Sequence, residues 1–209
     1  ADLNMAFAWA DALALDVVTR RTEDFVLVAA PEANDGVAAR AAELGIVMVP
    51  EPLPVWLGGI DPDSLPAPRC RVRRAGPADM VAARGVLAPA FGLPGEPLET
   101  AFPDDVAGEI DVYLAEPEGV PSSVVMAIRS DSLVSLWSGG TLPADRNAGV
   151  FTDLLAQVLR AQFSLGARFF AGITVAIASG RVLEKLGGRR VSDGHVDRKS
   201  TRLNSSHRT

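Results

Sequence analysis

The sequence is poor in the side chains that most metal and nucleophile chemistry requires: one cysteine, Cys70, and two histidines, His195 and His207, in 209 residues. A lone thiol excludes an internal disulfide framework. With histidine confined to the last fifteen residues, neither a histidine-based metal site nor a Ser/His/Asp triad can be assembled within the body of the chain, so no metal is expected. Long apolar runs are missing too. A membrane-crossing helix needs about 20 consecutive apolar residues, whereas "MAFAWADALAL" (5–15) is interrupted by Asp11 and lacks a basic leader, so it reads as a helix rather than a signal peptide. An excess of positive charge is likewise absent, with 26 acidic residues against 20 basic ones. Non-specific nucleic-acid binding depends on basic patches that displace counterions from phosphates. A soluble, cytoplasmic protein is the default expectation, with neither nucleic acid nor membrane as partner.

At the C-terminal end, "DRKSTRLNSSH" (197–207) resembles one reading frame of a sequencing-library adapter. Residues 197–209 are therefore read as adapter-derived and set aside from fold reasoning, as a tag would be. Without their four cations and one carboxylate the formal charge falls from −6 to −9. The chain opens on Ala1 rather than methionine, and with the adapter-like end this suggests a fragment.

Two compositional units follow, separated by the proline-rich "VPEPLPVWLGGIDPDSLPAPR" (49–69), which cannot sustain a helix and whose prolines remove ladder donors. The boundary is placed near Pro66. Residues 1–66 read as a small α/β unit: "FVLVAAP" (25–31), "NDGVAARAAELG" (34–45) and "IVMVP" (46–50) follow the pattern strand, helix, strand. It contains no GxGxxG, so a dinucleotide site is unsupported.

In residues 67–196, "CRVRRAG" (70–76) reads as a strand and "PADMVAARGVLAPAF" (77–91) as a helix with Pro77 in its first turn. "EIDVYLAEP" (109–117), "SSVVMAIRS" (122–130) and "LVSLWSGG" (133–140) read as an antiparallel meander. A helix is expected over 147–165, its apolar stripe formed by Val150, Leu154, Leu155, Val158 and Leu159, with Asp153, Gln157 and Arg160 on the other side. The strand "RFFAGITVAI" (168–177), the short helix "SGRVLEKLG" (179–187) and "RRVSDGHV" complete the unit.

The join at "TLPADRNAGVF" (141–151) carries the chemistry. A strand that yields to a helix through such a turn leaves the first helical amides without intrahelical acceptors. A pyrophosphate suits them, since the amides converge on it and the helix dipole favours negative charge. Gly149 allows close backbone approach or positive φ, and Arg146 can add a cation. Arginine and glycine at this spacing occur by chance about once or twice in such a composition, so the surroundings of the motif decide its meaning.

Those surroundings resemble the GNAT (Gcn5-related) N-acetyltransferase family over about residues 70–196. The order of elements is similar, Arg146, Gly149 and Phe151 fall on the acyl-CoA signature (Arg or Gln, x-x-Gly-x-Gly or Ala), and "SGRVLEKLGGRRV" follows the family's second motif. The resemblance implies an α/β (α+β) fold, a mixed, mainly antiparallel sheet flanked by helices and preceded by the small N-terminal unit. It also implies an acetyl-CoA-dependent N-acyltransferase. The groups that would hold the cosubstrate are Leu142 on the pantetheine arm, the amides of Arg146, Asn147, Ala148, Gly149, Val150 and Phe151 on the pyrophosphate, and Ser179, which equally reads as a helix N-cap. The acceptor is a small-molecule or peptide amine, and a homodimer is compatible with the pattern.

The departures are specific. Phe151 replaces the second small residue, Leu183 falls where many members carry a catalytic tyrosine, with Gly188 at the following aromatic, and Ala176 falls on the usual asparagine. The catalytic groups are therefore unassigned. Glu109 and Asp111, alternating on one strand, are candidate bases together with Asp131 and Asp153, though each alone reads as a solvated carboxylate; Tyr113, the only tyrosine, reads first as core. Trp137 reads as core before substrate platform, and Cys70 as an inert small residue.

Overall fold

A computed structural model describes residues 4–8, 25–29, 47–92, 98–99, 102–174 and 177–198. The chain divides into two units, Ala1–Leu53 with Ser192–Thr209, and Pro54–Val191. In the first, β1 (Asn4–Ala8) pairs in parallel with β2 (Phe25–Ala29), which pairs antiparallel with the far end of β9 (Gly188–Arg198), Ala29 opposite His195. The stretch from Met5 to Ala8 is thus a strand and not the expected helix. A short apolar run carries no decisive period of its own, and ladder bonding to β2 fixes its conformation. The helix expected over 34–45 lies outside the described residues.

The second unit holds a seven-strand sheet in the order β9, β3 (Val47–Gly59), β8 (Phe169–Ile173), β7 (Leu133–Thr141), β6 (Ser123–Ser130), β5 (Asp111–Glu116), β4 (Arg71–Arg74). From β4 to β7 every pairing is antiparallel. β7 and β8 are parallel, and β8 is antiparallel to β3. The proline tract is therefore a strand over much of its length. Its ladder with β8 runs from Val55 to Gly59, beyond Pro54, so no ring interrupts a donor in that pairing. Further along, Ile60 and Leu65 join the core of this unit.

Helices cover both faces of the central strands, and β5 and the stretch of β6 from Ser123 to Ala127 are accordingly buried without alternation. On one face lies α1 (Met80–Phe91), whose Met80, Ala83, Val86 and Leu87 pack with Val112, Leu114, Val124 and Met126. A turn at Pro77–Asp79 leads into it and Gly92, at φ 66°, closes it in the left-handed region that glycine tolerates. The short α2 (Val106–Glu109) precedes β5, so Glu109 ends a helix and does not alternate with Asp111 on a strand. The bond from the Ile110 N–H to the Val106 carbonyl (3.0 Å) holds that turn.

The opposite face carries α3 (Val150–Ser164), with Leu154, Leu155, Val158 and Leu159 fully buried against Tyr113, Val125, Ala127 and Val134. α4 (Ile177–Lys185) adds Leu183 to the same cluster. The polar side of α3 is not a solvated face. Asp153 accepts the backbone N–H groups of Arg69 (3.0 Å) and Cys70 (2.8 Å), Gln157 donates to the Cys70 carbonyl (2.9 Å), and Arg160 donates to the carbonyls of Leu65 (2.6 Å) and Pro66 (2.8 Å). Three side chains one helical turn apart thus clip residues 65–70 along α3. Among the described residues no helix is long and apolar enough to cross a membrane.

Candidate functional site

The parallel ladder between β7 and β8 ends at Leu136 opposite Gly172, while β7 continues to Thr141. Past that point the two strands share no pairing, and the chain leaving β7 turns back toward α3. Pro143–Asp145 form a single helical turn, Arg146 is extended, and Asn147 (φ 65°) and Gly149 (φ 82°) are both left-handed. Gly149 is the N-cap of α3 and no side chain caps the helix. Its carbonyl receives the Asp153 N–H (3.0 Å). The amides of Val150, Phe151 and Thr152 precede the first intrahelical donor, the Asp153 N–H, so they are donors without an intrahelical acceptor at the positive end of a fifteen-residue helix.

The loop is tied at its start. The Leu142 N–H donates to the Ser122 carbonyl (2.8 Å) and the Asp145 N–H to the Leu142 carbonyl (3.0 Å). Arg146 is exposed, but its guanidinium is engaged: Nε donates to the Thr141 carbonyl (3.3 Å) and Nη2 to the Ala90 carbonyl in the last turn of α1 (2.9 Å). The cation beside the helix end is Arg69, whose Nη1 lies 3.6 Å from where a Cβ on Gly149 would sit. No local motif marks Arg69 in the sequence, and the signal for it lay in Asp153, whose burial on α3 draws the 69–70 backbone to the helix.

Paired glycines let the two helices close on the end of β7. A Cβ on Gly139 would come within 2.8 Å of the Phe151 ring, and one on Gly140 within 2.7 Å of the Ala90 Cβ. Phe151 therefore packs down onto the strand, beside Val125, instead of standing over the helix end. At this level β7 bulges: Ser138 and Gly139 face the single residue Val125 between the pairs Val124–Gly140 and Met126–Trp137, and Ser138 has φ 44°. A bulge of this kind re-aims backbone groups out of the ladder. Trp137 packs on the α1 side with Leu142.

Across the split, Leu183 is buried with Cδ1 3.0 Å from the position of a Cβ on Gly172. An isobutyl group there has no proton to give. Trp56 of β3 lies over Gly180 of α4 and donates its indole N–H to the Thr174 hydroxyl (3.1 Å). Ser179 is half-buried inside α4, two residues past its first residue, and is not an N-cap.

The acid–base candidates lie elsewhere. Gln162 donates to Asp111 Oδ2 (2.6 Å) and to the Tyr113 hydroxyl (3.1 Å), and Arg74 pairs with Asp111 Oδ1. Tyr113 is buried, and desolvation foremost, then the Asp111 charge, pushes its phenol above the usual range. Gln162 is twelve residues along α3 from Val150, about 18 Å at 1.5 Å per residue. Asp111 and Tyr113 thus sit beneath the far half of α3, apart from the helix end. Asp131 is exposed in the turn joining β6 to β7, at the other end of β7 from Thr141, and Asp153 is buried and bonded to backbone amides rather than solvated. Burial, then the hydrogen bond to Asp153, raises the Cys70 thiol to about 11.

No family model matches the sequence, and no curated protein matches it. Solved structures do. The chain is similar to a GCN5-related N-acetyltransferase from Kribbella flavida (TM-score 0.64, 19% identity, 95% of this chain and 82% of that one). It is also similar to a GCN5-related N-acetyltransferase from Sphaerobacter thermophilus (0.58, 17%, 89% and 64%) and to a GNAT-family acetyltransferase from Colwellia psychrerythraea (0.59, 10%, 85% and 65%). At these identities the likeness concerns the fold, and the fold of this chain is that of the GCN5-related N-acetyltransferases.

Proposed function

We propose that the protein is an acyl-CoA-dependent N-acyltransferase that moves an acetyl group from acetyl-CoA to an amine by direct transfer in a ternary complex. The observation that carries this reading is the uncapped N-terminus of α3, with Gly149 left-handed, beside the place where β7 and β8 part. The donor set fits the group. Amides of Val150, Phe151 and Thr152 and the neighbouring loop would hold a pyrophosphate, and backbone groups at the bulged end of β7, with Leu142, would hold the pantetheine arm. The thioester, when bound, supplies an activated acyl group with a thiolate leaving group. The chain's part is to orient that group, to keep the phosphates fixed through backbone donors, and to present an N–H from the β7 bulge toward the carbonyl oxygen. The acidic net charge suits a cationic amine, whether small molecule or peptide.

A second reading has its own observation. Buried Leu183 gives no general acid near the split, which favours an acyl-CoA-binding module without catalysis. Calorimetric titration of the full chain with acetyl-CoA, followed by thiol release over a panel of amines, separates the two. Micromolar binding with amine-dependent thiol release is expected. Binding without release for any amine selects the module, and absence of binding to folded protein sinks both.

A further inference from the structure

We infer that Arg69, a residue of the linker between β3 and β4, is the side chain that grips the pyrophosphate, in place of the motif residue Arg146. This assignment rests on the acyl-CoA reading above and names a binding residue within that site. Three observations converge on it.

The first concerns the motif arginine. Its guanidinium already donates to the carbonyls of Thr141 and Ala90, so it ties the end of β7 to the last turn of α1. Turning it toward the α3 amides would strip both carbonyls of that partner. Arg146 is a latch between elements.

The second concerns Arg69 itself. Its Nη1 stands 3.6 Å from the Cβ position of Gly149, the residue whose left-handed backbone opens the helix end. The side chain is exposed, and among the described residues its guanidinium has no hydrogen bond or ion pair. The nearby carboxylate does not hold it: Asp153 is taken up by the N–H groups of Arg69 and Cys70 and by Gln157 Nε2 (3.2 Å). A guanidinium without a partner of its own, set beside the N–H donors of a helix end, is placed to add a charge-assisted contact to a dianionic group bound there.

The third concerns how Arg69 is kept there. The bonds that fix this position run from backbone N–H groups to Asp153, and Gln157 and Arg160 hold the residues on either side. The side chain contributes nothing to that clip and is available to a ligand.

The anchoring through backbone makes the test clean, because substitution of the side chain spares the clip. Affinities for CoA and for dephospho-CoA, which keeps the pyrophosphate and lacks the 3′-phosphate, are measured calorimetrically for the full chain and for Arg69→Gln, Arg69→Lys, Arg146→Gln and Arg160→Gln, with thermal unfolding of each. Arg69→Gln is expected to weaken both ligands by about tenfold or more, the loss of a charge-assisted contact, at an unchanged unfolding midpoint. Arg69→Lys should recover part of the loss, and Arg160→Gln should lower the midpoint with little effect on affinity. A loss confined to CoA overturns the assignment in favour of 3′-phosphate recognition. So does an equal or larger loss in Arg146→Gln, or full affinity in Arg69→Gln when the unaltered chain binds. If the unaltered chain binds neither ligand, the acyl-CoA reading itself falls, and this assignment with it.

Discussion

Replacing Gly149 with aspartate or with asparagine separates the backbone role of this position from its electrostatic one. Both side chains meet the same strain, since the residue is held at φ 82° and ψ 2°, a conformation that costs a residue with a Cβ about 1 kcal/mol or somewhat more, asparagine and aspartate being among the better tolerated. Neither is blocked sterically: the first atom the Cβ meets is Arg69 Nη1 at 3.6 Å, an ordinary contact. Both variants should therefore unfold roughly 2–4 °C below the parent, as expected for about 1 kcal/mol in a chain of this size. Their affinities should part. A carboxylate about 5 Å from a phosphate charge, at an effective dielectric of about 20, meets roughly 3 kcal/mol of repulsion, or about a hundredfold in Kd. It would also draw the Arg69 guanidinium onto itself. Gly149→Asp should bind CoA at least a hundredfold more weakly than Gly149→Asn, measured calorimetrically at low salt, with the gap narrowing as salt screens the exposed charges. Equal affinities of the two folded variants would refute the assignment of anion binding to this helix end.

Asp153→Ala removes the acceptor shared by the Arg69 and Cys70 amides and Gln157. At about 1–3 kcal/mol per stranded buried donor, the loss should reach roughly 3–5 kcal/mol, read by denaturant unfolding, and a change below about 1 kcal/mol would show that the clip is replaceable by water. Asp79 is held at about 2, against an ordinary 3.8, first by the Arg73 guanidinium and then by the Gly76 N–H. Because the folded value is the lower one, this stabilisation is complete above about pH 4 and fades as the pH falls toward 2. Asp79→Asn should cost about 1 kcal/mol at pH 7 after solvent screening, and its deficit should vanish near pH 2; a deficit independent of pH would point to packing instead. Cys70, with its thiol raised to about 11, should react with a disulfide reagent at pH 8 on the order of a hundredfold more slowly in the folded chain than after denaturation, since only the thiolate attacks. Comparable rates in the two states would contradict that burial.

Much of the architecture is legible because its cues are local. The run of short β-rich segments from Asp111 to Thr141 is punctuated by turns, Val150, Leu154, Leu155, Val158 and Leu159 repeat at helical spacing, and the strands and helices formed as those patterns imply. The differences fall where a backbone partner outside the local pattern decides. Met5 to Ala8 is a strand through its pairing with β2, and the proline tract is a strand because β8 takes up the residues after the last ring. Glu109 lies at a junction where one backbone bond from Ile110 to Val106 favours a helical turn over two more residues of strand. None of these partners is adjacent in sequence.

The site divides along the same line. Gly149 and the orphan amides are readable from the motif, because a helix that starts without a side-chain cap after a left-handed glycine needs an outside acceptor whatever surrounds it. The charged side chains are not readable that way. A guanidinium reaches far enough to choose among partners, and the choice belongs to the tertiary structure: Ala90, fifty-six residues away from Arg146, claims the motif cation, while Asp153, eighty-four residues from Arg69, brings a different one to the helix end. The same long reach makes a clip of Asp153, expected as a solvated carboxylate, together with Gln157 and Arg160. Of these three only Asp153 bonds the Arg69 backbone itself, so Asp153→Ala should weaken anion binding as well as stability, whereas Arg69→Gln should weaken binding alone.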